Sequence, residues 1–374
     1  MRATVISAFA LLLAAGPLAA QDKAVKPAAK PAAKAAPKAV KPEAKEPGKN
    51  LKVFKGQGLT DESLDEAMDF MASSLGVACV HCHVRDEKTQ AWVMDRDDKP
   101  AKQMARQMIL MTRAINKANF KGETTVTCAT CHHGSAKPEG MPPLPVPGAP
   151  RPLSAEDKVK NLPELEALLA KWVQGAGGAE ALGKIGGRVS KGTVDAGPGR
   201  TMQLEIVQKP GMRAVTQTTP RGAMKQGFDG TAGWAQRGGK TTPMDAKQVA
   251  QAKLDADLAL PLHLKEHYPS LMVLGRELVD GKEAFSVAAK AKDDSRLILS
   301  FDAATGLLVR RLSFTNTPLG IQSSETTWSD YRPVDGVQVP FKVVNRNAHG
   351  ASVTTFSEIK TAPVDDAAFK APAN

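Results

Sequence analysis

All four cysteines of this chain fall in two copies of one five-residue pattern, Cys79-Val80-His81-Cys82-His83 and Cys128-Ala129-Thr130-Cys131-His132. Each reads C-x-x-C-H, the attachment signal for c-type haem. The spacing has a geometric reason. Two thiols one helical turn apart can add across the two haem vinyl groups. The His after the second Cys then lies under the iron as its proximal ligand. Two disulfides, a four-Cys zinc site or a thiol redox pair would use the same cysteines. None of them asks for a His directly after both pairs. The sequence therefore predicts two covalently bound haem c groups, held by Cys79, Cys82, Cys128 and Cys131, with His83 and His132 as iron ligands.

The first twenty residues carry an export signal, a setting in which four cysteines would by default form two disulfides, so it is their placement in the two motifs that argues otherwise. Arg2 gives a positive start, Val5 to Ala15 an apolar core, and Pro17-Leu-Ala-Ala20 small residues before Gln21. That is the pattern of a secretory signal peptide over residues 1–20. An uncleaved membrane anchor is the alternative, but the apolar core is short of the roughly 18 residues that a span needs. Covalent capture suits an exported haem protein, because it keeps the cofactor from being lost. The expected location is periplasmic, with membrane association left open. The formal net charge is +11. Residues 21–50, nearly all Ala, Lys and Pro, hold eight Lys against Asp22, Glu43 and Glu46. Such a segment has no large apolar side chains to bury and reads as a disordered, charged linker. Export argues against nucleic acid as a partner. Acidic proteins or anionic surfaces suit the charge better.

The two motifs lie in a segment of residues 51–140 that reads as a small all-α dihaem domain. Thr60-Asp61-Glu62 offers a hydroxyl cap and first-turn acids, and Leu64, Met68, Met71 and Leu75 then recur at helical spacing. A second helix is predicted over about residues 99–119, with Pro100 in its first turn and Met104, Met108, Met111 and Ile115 in register. Residues 141–154, with five Pro between Met141 and Pro150, form a stiff linker. Residues 155–374 open with helical stretches, Leu162 to Val173 and Ala179 to Ile185, and then turn to alternating strands such as Met202 to Ile206 and Leu297 to Phe301. Asp229-Gly230, Asp280-Gly281, Asp335-Gly336 and Thr305-Gly306 mark turns between them. A helical insertion at about residues 245–268 interrupts the meander. The expected fold is α+β and multidomain: the dihaem unit, then a curved antiparallel half-barrel sheet with helices.

Each iron needs a sixth ligand, and His or Met is usual. Met68, Met71, Met108 and Met111 precede the motifs on the predicted helices, and spacing alone does not choose among them. His263, His267 and His349 lie far along the chain.

The run Met108-Ile-Leu-Met111-Thr-Arg113-Ala-Ile-Asn116, with Val126-Thr-Cys128-Ala-Thr-Cys131-His132-His133-Gly134, resembles the photosynthetic reaction-centre cytochrome c subunit family. So does Met68-Asp-Phe-Met71 before Leu75-Gly76-Val77-Ala-Cys79. That family carries four haems in two similar halves, and a Met on the helix before each motif ligates the iron. The resemblance covers about residues 58–140, one half only. It implies Met68 as distal ligand of the first haem and Met108 of the second, with Met111 the alternative because the following loop is shorter. In the family one haem takes a His from the loop of the opposite half. The loop Lys117 to Thr125 has no His, so Met is expected at both irons. The family's lipid-bearing Cys is absent, and nothing here implies photosynthesis.

The third segment resembles the half-open β-barrel of periplasmic lipoprotein carriers. The likeness rests on Gly177-Gly178 after a helix pair, Phe228-Asp-Gly-x-x-Gly-Trp234, Phe301-Asp-x-x-Thr-Gly306-Leu-Leu, and Asp330-Tyr331-Arg332 before Val334-Asp-Gly336. It implies a hollow for a lipid or quinone, whereas a barrel filled by its own side chains is equally compatible with the pattern. Trp234, Tyr268, Trp328 and Tyr331 read as core or rim.

Electron transfer between other redox proteins, or with a membrane electron-transfer complex, is the expected function. It needs no substrate site. A dihaem peroxidase-like enzyme would need a displaceable ligand and an acid–base group above one iron. A carrier or sensor would use the third segment to hold lipid or quinone.

Overall fold

A computed structural model describes residues 48–138, 153–220, 222–291 and 295–372. The expected signal peptide, nearly all of the Ala/Lys/Pro linker and most of the Pro-rich linker lie outside them.

Helix α1 spans Asp61–Leu75 and starts as the sequence indicates. Thr60 and Ser63 form a reciprocal cap, and Gly76 ends the helix in the left-handed conformation (φ 64°). A turn of 3-10 helix, Cys79–His81, follows. Strands β1 (Val84–Arg85) and β2 (Trp92–Val93) then pair antiparallel. This small hairpin corrects the all-α expectation for the segment. Asp86 makes it by accepting the Lys88 and Thr89 backbone N–H groups on one carboxylate oxygen, and Arg85 stacks 4.0 Å from the Trp92 ring centroid. Two-residue strands carry no period that a sequence could show. Helix α2 spans Pro100–Asn119, with Pro at its start. Helix α3 spans Cys128–His132, capped by Thr127 and Thr130.

The third segment begins with α4 (Ala155–Val159), α5 (Leu165–Gly175) and α6 (Ala179–Gly183). Strands β3 (Arg188–Asp195), β4 (Thr201–Lys209), β5 (Met212–Thr219), β6 (Gly222–Phe228), β7 (Gly233–Arg237) and β8 (Lys240–Pro243) follow. Next come α7 (Ala246–Asp255) and α8 (Leu260–His267). The remaining strands are β9 (Ser270–Val279), β10 (Lys282–Lys290), β11 (Arg296–Asp302), β12 (Leu308–Thr317), β13 (Gly320–Val334), β14 (Val337–Asn347) and β15 (Gly350–Thr361). The strands β3 to β15 form one antiparallel sheet in the order β8-β7-β6-β5-β4-β3-β15-β14-β13-β12-β11-β10-β9. The chain thus meanders outward from β3 to one edge, crosses through α7 and α8 to the other edge, and meanders back until β15 pairs with β3. The sheet stays open, and the α+β expectation with a curved antiparallel sheet holds.

Turn chemistry follows the sequence in detail. Asp280-Gly281 (φ 48° and 77°) and Asp335-Gly336 (φ 47° and 82°) both have the two positive φ angles of a two-residue hairpin turn. Asp229-Gly230 makes a wider loop, because the Asp229 carboxylate accepts from the Thr231 and Ala232 N–H groups. Helices α5 and α8 fill the face of the sheet that they cover. Leu168, Trp172 and Leu264 are buried there with Val287, Leu299, Phe301, Val337 and Phe341. The Trp172 and Phe301 rings lie 5.0 Å apart. Trp234 and Tyr268 are buried, and the Trp234 indole N–H donates to Phe369 O at 2.8 Å. No helix among the described residues is long and apolar enough to cross a membrane.

A second core joins Phe54, Ala67, Phe70 and Ile109 of the motif segment to Leu319 from the β12–β13 turn. The turn fits because position 320 has no side chain. A Cβ there would stand 2.8 Å from the Phe70 ring and 3.0 Å from the Thr127 methyl. Polar contacts run along the same side of α1. Lys247 of α7 reaches Glu66 at 2.7 Å, and Ser73 donates to Gln322 at 2.8 Å. Exposed ion pairs of this kind add little, whereas Leu319 is buried in the small core. Leu319→Ala should lower unfolding free energy by about 2–4 kcal/mol in denaturant melts. A loss under about 1 kcal/mol would show that the turn merely rests on the surface.

Candidate functional site

Helix α1 is apolar on two stripes. Ala67, Phe70 and Ser74 are buried against protein. Leu64, Met68, Met71 and Leu75, the stripe read from the sequence, line a cavity of about 770 Å3, and the first three of them also pack against the Phe70 core. Cys79, Cys82 and His83 of the first motif line the same cavity, as do Trp92, Met94 and Ile109. A row of large apolar side chains facing an open volume, with two thiols and an imidazole opposite, is the lining a flat apolar cofactor needs.

The His83 ring is oriented by its far nitrogen. Nδ1 lies 3.1 Å from Met94 O. A carbonyl can only accept, so the proton belongs on Nδ1 and the Nε2 lone pair is left for a metal. Burial holds His83 below its ordinary pKa. The Lys102 charge adds to this and the Met94 hydrogen bond opposes it. A neutral imidazole is the form that ligates. His132 repeats the arrangement, with Nδ1 2.8 Å from Ser135 O. The same carbonyl-anchored imidazole thus follows both C-x-x-C pairs. No disulfide joins the four cysteines. Among the described residues no three His, Cys, Asp or Glu side chains converge to hold a metal ion, so the thiols are not gathered as a zinc site would need.

The second motif is held by Asn116, a residue quoted above only as part of a run. Its buried amide donates to Val126 O at 2.8 Å and accepts from the Val126 N–H at 2.8 Å and the Thr125 N–H at 3.2 Å. This clamp fixes the strand of chain that enters α3. Cys128 and Ala129 pack against the Phe70 core. The Met row of α2 lies off the face that borders the first cavity. Ala105, Arg106 and Ile109 face the first cavity. Met104, Met108, Met111 and Ile115 recur on another face, since residues three and four apart align along a helix. Met104 and Met111 there are 54% and 42% exposed, and Met108 is half-buried. Neither Met108 nor Met111 borders the first cavity.

The two motifs meet at a glycine contact. Gly134 N donates to Ser74 O at 2.9 Å. A Cβ on Gly76 would stand only 2.0 Å from Gly134 O. Both glycines also have positive φ. The end of the second motif is therefore bolted to the end of α1, three residues before Cys79.

Cations gather at the cavity wall. Asp97 accepts from Lys52 at 2.9 Å, Arg106 at 2.9 Å and Asn50 at 2.9 Å, and lies 3.4 Å from Lys102. The hydrogen bonds from Arg106 and then Lys52 hold its carboxyl far below the usual range. One carboxylate thus serves three cations, and Lys102 and Arg106 are nearly buried.

His349 was set aside in the sequence because it lies 266 residues beyond His83. The β14–β15 turn carries it to the wall of the first cavity, with Nε2 3.3 Å from Asp69. No local pattern announces such a residue. Only the docking of the sheet on α1 brings it there. His263 and His267 stay away, both bonded to Asp257 at 3.0 Å.

The family model described as "Photosynthetic reaction centre cytochrome C subunit" matches residues 14–165, less than half of the chain. No curated protein matches. Similar solved structures include a LolA superfamily protein from Nitrosomonas europaea, 14% identical with TM-score 0.41, covering 55% of this chain and 97% of its own. A putative outer membrane lipoprotein-sorting protein domain from Vibrio parahaemolyticus is 11% identical with TM-score 0.38, covering 52% and 92%. A DUF1329 family protein from Desulfovibrio piger is 12% identical with TM-score 0.37, covering 55% and 96%. Both haem-attachment patterns fall within the stretch that the family model matches.

Proposed function

We propose that this chain is an exported c-type cytochrome that carries two covalently bound haems and passes electrons between redox partners in the periplasm. The observation that carries the reading is the repeated, carbonyl-anchored imidazole directly after each C-x-x-C pair. The residues fit the cofactor in number, order and chemistry. Cys79 and Cys82 would hold one haem, with His83 below and Met68 above. Cys128 and Cys131 would hold the other, with His132 below and Met108 above. Haem, when bound, supplies one-electron chemistry at a potential that its axial ligands set, and Met raises it.

The protein's part is positional. Met94 O and Ser135 O fix the two rings, so that neither ligand has to turn when the charge at the metal changes. The apolar stripe of α1 keeps water from the first site. Lys102 and Arg106, nearly buried beside one shared carboxylate, suit the carboxylates at a haem edge. The Gly76–Gly134 contact keeps the two sites within one rigid unit, which favours transfer between them. Partners are other redox proteins or a membrane electron-transfer complex. Attachment to the membrane and cleavage of the leader belong to the same proposal.

Two measurements test it. The mass of the holoprotein should exceed that of the polypeptide by two haems. Cys79→Ala/Cys82→Ala and Cys128→Ala/Cys131→Ala should each lose one and keep the other. A protein with the bare polypeptide mass overturns the reading. Separately, Met68→Ala and Met108→Ala should each remove the Met–iron absorption of one haem only. Retention in Met108→Ala and loss in Met111→Ala would move the second ligand by three positions. High-spin iron at both sites of the unaltered protein, with turnover of peroxide, would make it an enzyme instead.

A further inference from the structure

The register of β3, β4 and β5 sets Arg188 opposite Gln208 and Gln208 opposite Arg213. Residues directly opposite across an antiparallel ladder share a face, so these three form a row across three strands. The next row on that face, Ser190, Ile206 and Val215, is buried. Gln208 Nε2 donates to Asp255 O at 3.1 Å, which sets the row beside the C-terminal end of α7. A third guanidinium, Arg311 of β12, approaches the same residue, Nη1 to Asp255 Oδ1 at 3.5 Å. Gln251 donates to that carboxylate oxygen as well, at 2.7 Å.

Two guanidinium groups, Arg311 and Arg213, thus lie near the Asp255 carboxylate on the covered face of the sheet, and Arg188 stands in the same row as Arg213 on the far side of Gln208. Burial pulls Arg188 down to about 10. Burial also lowers Arg213, with Asp255 opposing and Arg311 adding to the shift. Arg188 Nε and Arg311 Nε are buried with no hydrogen-bond partner. Among the described residues, neither the Arg188 nor the Arg213 side chain makes a hydrogen bond or a close ion pair. A charge withdrawn from water without a partner is costly, and two are kept here, on β3 and β5 either side of β4. A guanidinium offers a planar fork of five donors, which matches the paired oxygens of a carboxylate or phosphate.

We propose that Arg188, Arg213 and Arg311 form a binding site for an oxyanion, a carboxylate or phosphate group, beside Asp255 on the covered face of the sheet. The anion brings the negative charge that the cluster lacks. Asp255 already holds Arg311, so Arg188 and Arg213 supply the donors that the ligand takes up. The group comes either as a free ion or as the head of an amphiphile. This site shares no residue with either Cys-His motif, so its test does not depend on the haem reading.

The test is calorimetric titration of the full holoprotein with inorganic phosphate, with laurate and with a lysophosphatidate. At least one should bind. Arg188→Gln and Arg213→Gln should each weaken it about tenfold or more, as loss of a charge-assisted hydrogen bond predicts. Binding of phosphate identifies a free-ion site, whereas binding of the amphiphiles alone identifies a headgroup site. Arg213→Lys, which keeps the charge but loses the fork, should also bind more weakly. Without anion, the Gln variants should melt no lower than the unaltered protein, because each removes an unpaired buried charge. Failure of all three anions to bind, or equal binding by the variants, overturns the proposal. Lower melting with unchanged binding does so too, since it would make the cluster structural.

Discussion

The approach of Gly134 O to the α-carbon of Gly76 leaves no room for a side chain, and the geometry of both motifs depends on it. It stops α1 with a left-handed residue, turns the chain toward Cys79, and pins the far end of α3 to the same point. The hydrogen bond from Gly134 N to Ser74 O closes the joint. With one end of α1 fixed in this way, its apolar stripe has a single direction in which to face. That stripe then becomes a wall of the first cavity while its inner edge still packs on the small core. Asn116 provides the matching constraint at the entrance to α3, where three hydrogen bonds to one buried amide replace the regular structure that so short a segment cannot have.

The sheet is not an independent appendage to this unit. Its strand order brings the hairpins β12–β13 and β14–β15 to α1, where Leu319 enters the small core and His349 reaches the cavity. A core of Phe54, Ala67, Phe70 and Ile109 is slight for a segment of this length. Small domains bury too little surface to be secure without a staple. Here the covalent cofactor and the borrowed leucine would act together. The physical consequence is that anything that moves those hairpins also moves the helix that carries Met68.

Charge is distributed by the same logic in both halves. Arg106 and Lys102 share Asp97 at the first cavity, and at the sheet Arg311 pairs with Asp255, Arg213 lies near it, and Arg188 stands in the same row. In each place cations outnumber the carboxylate beside them and are at least half withdrawn from water. A surplus of this kind is tolerable on a surface and expensive inside, so both clusters point toward an anionic group from outside the polypeptide. The exposed pairs, Lys184 with Glu180 or Arg332 with Asp330, carry no such implication, because solvent screens them.

Much of the architecture was legible along the chain because its causes are local. A cap and a period announce α1, Pro100 opens α2, and Asp-Gly pairs with two positive φ angles close two hairpins. Five residues, C-x-x-C-H, carry their own chemistry wherever they fold. The sequence by itself therefore determined the paired C-x-x-C-H pattern, the helix pair and the antiparallel character of the third segment. Tertiary structure decided what has no local signature. It chose which stripe of α1 is fully buried and which is left to border the cavity. It brought His349 from the far end of the chain to Asp69, and it stacked Arg188, Gln208 and Arg213 into one row. Such neighbours depend on strand order and register, and these are settled by how whole faces pack, not by any residue's own preference.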